Sequence, residues 1–277
     1  FPGPVTEKYQ QHLSAFQGAH PDPQWLTGLI QNYPDYPKFA EHLQLLWGCS
    51  DYLGQQCQLH PEEFRELVES GDLQRSYSPE DFSQKLDHRL PTDCSEEQLS
   101  HHLRLFRRRE MIRIIWRDFS RMAPLLETTG DMTALAESAI NISLRELHRI
   151  SCEELGTPYR GSDSDAEQQM VVVAMGKMGA GELNISSDID LIFAYPRKGE
   201  TRRAESSARQ KTCSNQEFFT RLGQKLIAAL DRTTADGFVF RVDMRLRPYG
   251  QSGALALSFD ALEEYYHTQG REWERYA

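Results

Sequence analysis

Met170-Val-Val-Val-Ala-Met-Gly-Lys-Met-Gly-Ala-Gly-Glu-Leu-Asn-Ile-Ser-Ser-Asp-Ile-Asp-Leu-Ile-Phe-Ala-Tyr195 is the stretch that most narrows what this chain can fold into. Val171 to Met175 is an apolar run short enough for a buried strand. A turn follows, rich in glycine (Gly176, Gly179, Gly181) and holding one cation, Lys177. A second strand is expected from Ser186 onward, and it begins with Asp188 and Asp190. Alternate residues of a strand share a face, so these two carboxylates project together while Ile189 and Leu191 turn into the core. Paired carboxylates repel and raise each other's pKa unless a cation lies between them. Mg²⁺ suits such a pair, because it takes oxygen ligands and usually binds through one or two carboxylates plus substrate phosphates. Glycines let backbone N–H groups approach an anion closely. Together these features point to phosphoryl or nucleotidyl transfer. The plainer reading, two solvated aspartates at a strand mouth, stays open on this stretch alone. The glycine spacing fits neither the dinucleotide pattern nor a P-loop.

A third carboxylate, Asp243, lies in Phe238-Val-Phe-Arg-Val-Asp-Met-Arg-Leu-Arg-Pro248. The alternation predicts a strand with Phe238, Phe240, Val242, Met244 and Leu246 on the core face. Val239, Arg241, Asp243, Arg245 and Arg247 would take the other face, which suits an anionic ligand held around a metal. An edge strand with an internal ladder of ion pairs is the alternative.

With these residues in view, 176–193 and Val242-Asp-Met-Arg-Leu-Arg-Pro248 resemble the glutamine synthetase adenylyltransferase/deadenylylase family, within the DNA polymerase β-like nucleotidyltransferase superfamily. Leu105-Phe-Arg-Arg-Arg-Glu-Met-Ile-Arg-Ile-Ile-Trp-Arg-Asp-Phe119 and the stretch from Tyr249 to Ala277 share the resemblance, which covers the chain from about residue 100 onward. It implies an α+β fold: a helical N-terminal region over 1–130, then a nucleotidyltransferase domain over 131–277 with its leading helix, a small mixed sheet and flanking helices. It also implies that Asp188, Asp190 and Asp243 are catalytic and bind Mg²⁺, two ions by the family pattern. Gly176, Lys177, Gly179 and Ser187 match the family's phosphate-side turn, and Arg245 and Arg247 are candidate phosphate ligands. Ala180 departs from the pattern, standing where a second glycine is common.

Family members carry two such domains. One attaches AMP from ATP to a tyrosine of glutamine synthetase; the other removes it with inorganic phosphate, giving ADP. Ser252-Gly253, Ala261-Leu-Glu-Glu-Tyr-Tyr266 and Gly270-Arg-Glu-Trp-Glu-Arg-Tyr-Ala277 resemble the removing half. The adenylylating activity, nucleotidyl transfer to another acceptor, and a silent regulatory module that binds nucleotide or a signal protein remain alternatives. Regulation through the P-II signal protein is implied by the resemblance alone.

The remaining bounds are broad. With 277 residues, 39% hydrophobic and 26% charged, the chain can bury a substantial core as one large or two modest domains. A net charge of −10 argues against nonspecific nucleic-acid binding. Cys49, Cys57, Cys94, Cys152 and Cys213 form no metal-ligand spacing and read as reduced thiols in the cytoplasm. No apolar run approaches the roughly 18 residues of a membrane span, and no signal peptide is recognisable. Both ends read as boundaries within a longer protein.

Up to residue 100 the pattern predicts short helices: Thr6–Phe16, Pro37–Gly54 as one helix, one opening at Pro61 and one at Ser78. His42, His60, His88, His101 and His102 read as core or surface histidines, not ligands. Two longer helices follow, Ser95–Met122 and Asp131–Ile150. The arginines of the first, Arg104 to Arg121, read either as a solvated face or as contacts to the catalytic domain, phosphate or an acidic partner. Residues 156–165 read as a polar connection and 196–212 as a charged, mobile loop. Ser214 opens a capping box for a helix to about Thr234, Asp236-Gly237 turns, Leu255-Ala-Leu is a short strand, and Ser258 starts a last helix that breaks near Gly270.

Overall fold

A computed structural model describes residues 3–161, 166–203 and 211–275. Parts of three expected features lie outside them: 162–165 of the polar connection, 204–210 of the charged loop, and Tyr276-Ala277 of the tail motif. The fold is α+β, and the chain divides into two compact units, Phe1–Ser78 with Phe106–Asp131, and Pro79–Leu105 with Met132–Ala277.

The first unit is helical. It holds α1 (Gly3–Ala19), α2 (Pro23–Gln31), α3 (Phe39–Cys49), α4 (Asp51–Leu59) and α5 (Pro61–Glu69). The single helix expected over 37–54 is broken at Ser50, whose extended backbone ends α3 while its Oγ accepts the Leu53 N–H and caps α4. A serine competes for local backbone hydrogen bonds in this way, and apolar spacing alone does not reveal it. The core is aromatic: Phe16 packs on Trp47 and Phe64, and Phe39 stacks on Trp116 at 5.6 Å. Trp116 donates its indole N–H to the Tyr36 hydroxyl at 2.9 Å, so its one polar atom is satisfied inside.

The second unit contains α6 (Pro79–Asp87), the first part of α7 (Glu96–Phe119) and most of α8 (Leu125–Leu155). Next come β1 (Thr157–Pro158), β2 (Val171–Met175), the short turn of helix α9 (Gly176–Gly179), β3 (Ile189–Tyr195) and β4 (Thr201–Arg202). The rest is α10 (Asn215–Asp231), β5 (Val242–Asp243), β6 (Ala256–Ser258) and α11 (Phe259–Thr268). The sheet is small and mixed. β2 runs antiparallel to β3, and β5 and β6 both run parallel to it. β1 and β4 pair separately, so the polar connection and the charged loop supply one strand each to a short antiparallel pair.

β3 is central and buried, with Ile189 and Leu191 at 0% exposure as the alternation predicts. α10 approaches it closely. A Cβ on Gly223 would lie 2.8 Å from the Phe193 ring, and Phe219 stacks on Tyr195 at 4.8 Å.

Two strand expectations need correction. β2 is an edge strand, not a buried one: Val171 is 42% and Val173 37% exposed. A short apolar run reads the same in either place. The long strand expected over 238–248 is two residues long, and Val239 and Phe240, assigned to opposite faces, are both buried. The strand stops because Asp243 Oδ1 accepts the Arg245 N–H at 2.8 Å, forming a local turn that Arg247, Pro248 and a left-handed Tyr249 (φ 61°) extend.

The arginines of α7 are not a solvated face. Within the first unit Arg113, fully buried, bridges Glu110 and Asp131 at 2.7 Å each, and Arg109 joins Glu110 and Asp72 at 2.6 Å each. Arg113 also lies 3.7 Å over the Tyr77 ring. Within the second unit Arg104 donates to the carbonyls of Ala229, Arg232 and Gly237, closing the C-terminal end of α10.

Candidate active site

The site is built where β3 meets β5. Their parallel register sets Asp190 opposite Asp243, so two carboxylates distant in sequence become cross-strand neighbours. Asp188 sits one residue before β3 and is exposed, whereas Asp190 and Asp243 are half-buried.

Gly176 lies directly against this pair. Its φ of +57° is left-handed, and a Cβ built on it would sit 3.0 Å from Asp190 Oδ2. Gly179 is needed for a different close approach, since a Cβ there would fall 2.6 Å from the Ala174 carbonyl and obstruct the turn off β2. Lys177 is exposed beside this turn.

The loop into β3 is organised by Asn184. Its side-chain oxygen accepts the Ser186 N–H at 3.2 Å and the Ser187 hydroxyl at 2.7 Å. Ser187 is thus held by a residue the sequence reading did not single out, although an Asn ahead of two serines is a turn signal. A second such residue is Asp231, the last of α10, whose Oδ1 accepts the Val242 N–H at 3.2 Å and fixes the start of β5. Nothing in the spacing marks it.

Asp188, Asp231, Arg241, Asp243, Arg245, Arg247 and Gln251 line one shallow recess of about 430 Å³. Larger grooves lie elsewhere in the unit, one of about 760 Å³ beside β2 and α8. The recess brings Asp188 and Asp243 together with three arginines, and chemistry of this kind is set by charge and orientation more than by volume.

Arg245 binds Asp243 Oδ2 through Nε at 2.7 Å and Nη2 at 2.5 Å. This hydrogen bond holds the Asp243 carboxyl below the usual carboxylate range. Asp190 moves the other way: loss of solvent, then the neighbouring charge of Asp243 and, more weakly, Asp188, push it up. Arg247 donates to the Met244 carbonyl at 2.7 Å and the Gln251 carbonyl at 3.1 Å, so it braces the turn after β5.

Of the expected residues, Asp188, Asp243, Arg245 and Arg247 therefore share the recess, and Asp190 and Gly176 adjoin it through β3. Lys177, Gly179 and Ser187 are outside the recess lining. Among the described residues no three acidic, histidine or cysteine side chains converge on one point. The donor type nonetheless fits a hard divalent cation: Asp190 and Asp243 set carboxylate oxygens side by side, and among the described residues Arg245 is the cation paired with Asp243.

Comparison with known proteins identifies the family. The sequence profile described as glutamate-ammonia ligase adenylyltransferase matches residues 40–277. A bifunctional glutamine synthetase adenylyltransferase/adenylyl-removing enzyme of Pseudomonas aeruginosa is 52% identical over 237 residues, covering 86% of this chain and 24% of that protein. Proteins of the same description from Nitrosococcus oceani (50% over 240 residues, 87% of this chain and 24% of that protein) and Pseudomonas putida (45% over 274 residues, 99% and 27%) are similar. This chain spans about a quarter of the length of these relatives. From the profile match across most of its length, the chain belongs to the glutamate-ammonia ligase adenylyltransferase family.

Proposed function

We propose that this chain is a nucleotidyltransferase unit that removes AMP from a tyrosine of adenylylated glutamine synthetase by phosphorolysis. An oxygen of inorganic phosphate attacks the α-phosphorus, the phosphorus–tyrosine oxygen bond breaks, ADP leaves, and the phenolate takes a proton. The observation that carries the reading is the register pairing Asp190 with Asp243 beside Gly176, because it creates an acidic pair at a recess that also presents three arginines.

Asp188, Asp190 and Asp243 would hold Mg²⁺, which when bound supplies charge stabilisation to the oxygens that attack and leave phosphorus. Gly176 keeps the carboxylate of Asp190 unobstructed. Arg245 presents a planar fork of donors suited to a phosphate, and Arg247 fixes the turn that carries it. A tyrosine phenol has a pKa of about 10, so the leaving group departs without a strong general acid. The tail residues Ser252-Gly253, Ala261–Tyr266 and Gly270–Arg275 favour removal over attachment by their likeness to the family's removing half. A cytoplasmic setting, glutamine synthetase as protein substrate, and response to a P-II signal protein belong to the same proposal.

The test is nucleotide release from AMP-modified glutamine synthetase with Mg²⁺ and phosphate, beside incorporation of AMP from ATP. Phosphate-dependent ADP, lost in Asp188→Ala, is the expected result. AMP incorporation without ADP release would assign the attaching activity instead. Nucleotide binding that needs neither Mg²⁺ nor Asp190, with no turnover, would mark a regulatory module.

A further inference from the structure

We infer that Arg245 is an exchangeable counter-ion. It neutralises Asp243 until a divalent cation binds, then gives up that carboxylate and carries its charge to the anionic substrate. The inference rests on the reading of Asp188, Asp190 and Asp243 as the cation-binding set.

Arg245 holds Asp243 by two guanidinium contacts, 2.7 and 2.5 Å, on one oxygen, while its own backbone N–H occupies the other at 2.8 Å. The contact is close but not enclosed: the Arg245 side chain is 74% exposed. The arginine side of the pair is open to solvent while the Asp243 side chain is only 14% exposed, so the guanidinium can swing out into water and leave the carboxylate to a divalent cation. The backbone beneath it is fixed, because Arg247 ties the Met244 and Gln251 carbonyls together. The exchange therefore needs side-chain rotation only.

The charge count also favours exchange. Asp188, Asp190 and Asp243 carry three negative charges, and Arg245 is an arginine of the recess whose charge acts on all three. A divalent cation offsets the carboxylates better and leaves a guanidinium fork free at the rim of the recess, where it matches a phosphate. Arg104, buried at 1% exposure, is committed to helix-end carbonyls and has no such freedom. Cation and phosphate binding are then coupled, each favouring the state the other needs.

The experiment is Mn²⁺ titration of the 277-residue protein by calorimetry, with and without inorganic phosphate, on the native chain, Arg245→Gln, Arg241→Gln and Asp190→Asn. Arg241 lines the same recess without an ion pair to Asp243, so it controls for a general change of charge. Arg245→Gln is expected to bind Mn²⁺ roughly three- to tenfold tighter, with a much smaller gain in Arg241→Gln. Phosphate is expected to tighten Mn²⁺ binding in the native chain and not in Arg245→Gln. Equal tightening in both arginine variants, or unchanged or weaker binding in Arg245→Gln, would overturn the exchange while leaving the carboxylate site standing if Asp190→Asn still abolishes binding. Absent native binding, or binding indifferent to Asp190→Asn, would remove the cation site itself and the inference with it.

Discussion

Gly176 carries two constraints at once, a left-handed backbone and a carboxylate where its side chain would be. Gly181 carries only the first, at φ +72° with open space around it. Alanine at either position should cost about 1 kcal/mol of stability from backbone strain. Only Gly176→Ala should also displace Asp190 and weaken Mn²⁺ binding, which paired thermal melts and titrations would show. Equal effects of both variants on the metal would mean that Gly176 serves the turn alone.

The two paired aspartates also respond to acid in opposite directions. Asp190 is raised, so the folded chain takes up this proton before the unfolded chain does, and falling pH through the raised value adds stability. Asp243 is lowered, so its contribution is complete above the ordinary aspartate range and is lost as pH falls through its lowered value. Without divalent cation at neutral pH, Asp190→Asn should therefore melt higher than the native chain, because it removes a repelled charge. With saturating Mg²⁺ the order should reverse. A native chain that melts higher under both conditions would show that Asp190 is not under electrostatic strain.

At the scale of elements, what the sequence revealed was governed by local chemistry. Ser214 reads as a cap and is one, its Oγ accepting the Glu217 N–H at 3.2 Å; Ser214→Ala should lower stability by about 1 kcal/mol in denaturant unfolding. The parity of Ile189, Asp190 and Leu191 is legible for the same reason, since one strand fixes its own alternation. Neighbours distant in sequence are not legible that way. Val171–Met175 is as apolar as a buried strand, and only the pairing of the sheet leaves it at an edge. Phe238 to Leu246 alternates without fault, yet Asp243 uses its own carboxylate to turn the chain two residues later.

The arginines of α7 show the same limit. Their spacing cannot tell that Asp72 and Asp131 come to meet them in the interior. Glu110, 0% exposed between Arg109 and Arg113, is the pivot of that network. Glu110→Ala leaves two buried arginines short of a partner and should cost roughly 3–5 kcal/mol, read by urea unfolding. A loss below 1 kcal/mol would mean that water or the remaining acids replace it.

For the whole molecule, the family assignment and the structure rest on the same residues: the profile matches from residue 40 through both compact units. No described helix is long and apolar enough to cross a membrane. All five cysteines are free thiols, as their scattered spacing predicts. Cys49 is exposed, Cys57 is fully buried with its thiol pushed far up by desolvation, and burial pushes Cys152 up to about 11. A thiol reagent should thus modify Cys49 rapidly in the native protein and reach Cys57 only on unfolding, with mass spectrometry reading the order.

In the proposed function the β3–β5 register builds a divalent-cation site from Asp188, Asp190 and Asp243. Its most direct test is the anomalous scattering of Mn²⁺ in crystals grown with ADP. A peak about 2.1 Å from carboxylate oxygens of Asp190 and Asp243, with Arg245 moved off Asp243, is the predicted result. Mn²⁺ bound elsewhere, with the Asp243–Arg245 pair intact in the presence of nucleotide, would contradict it.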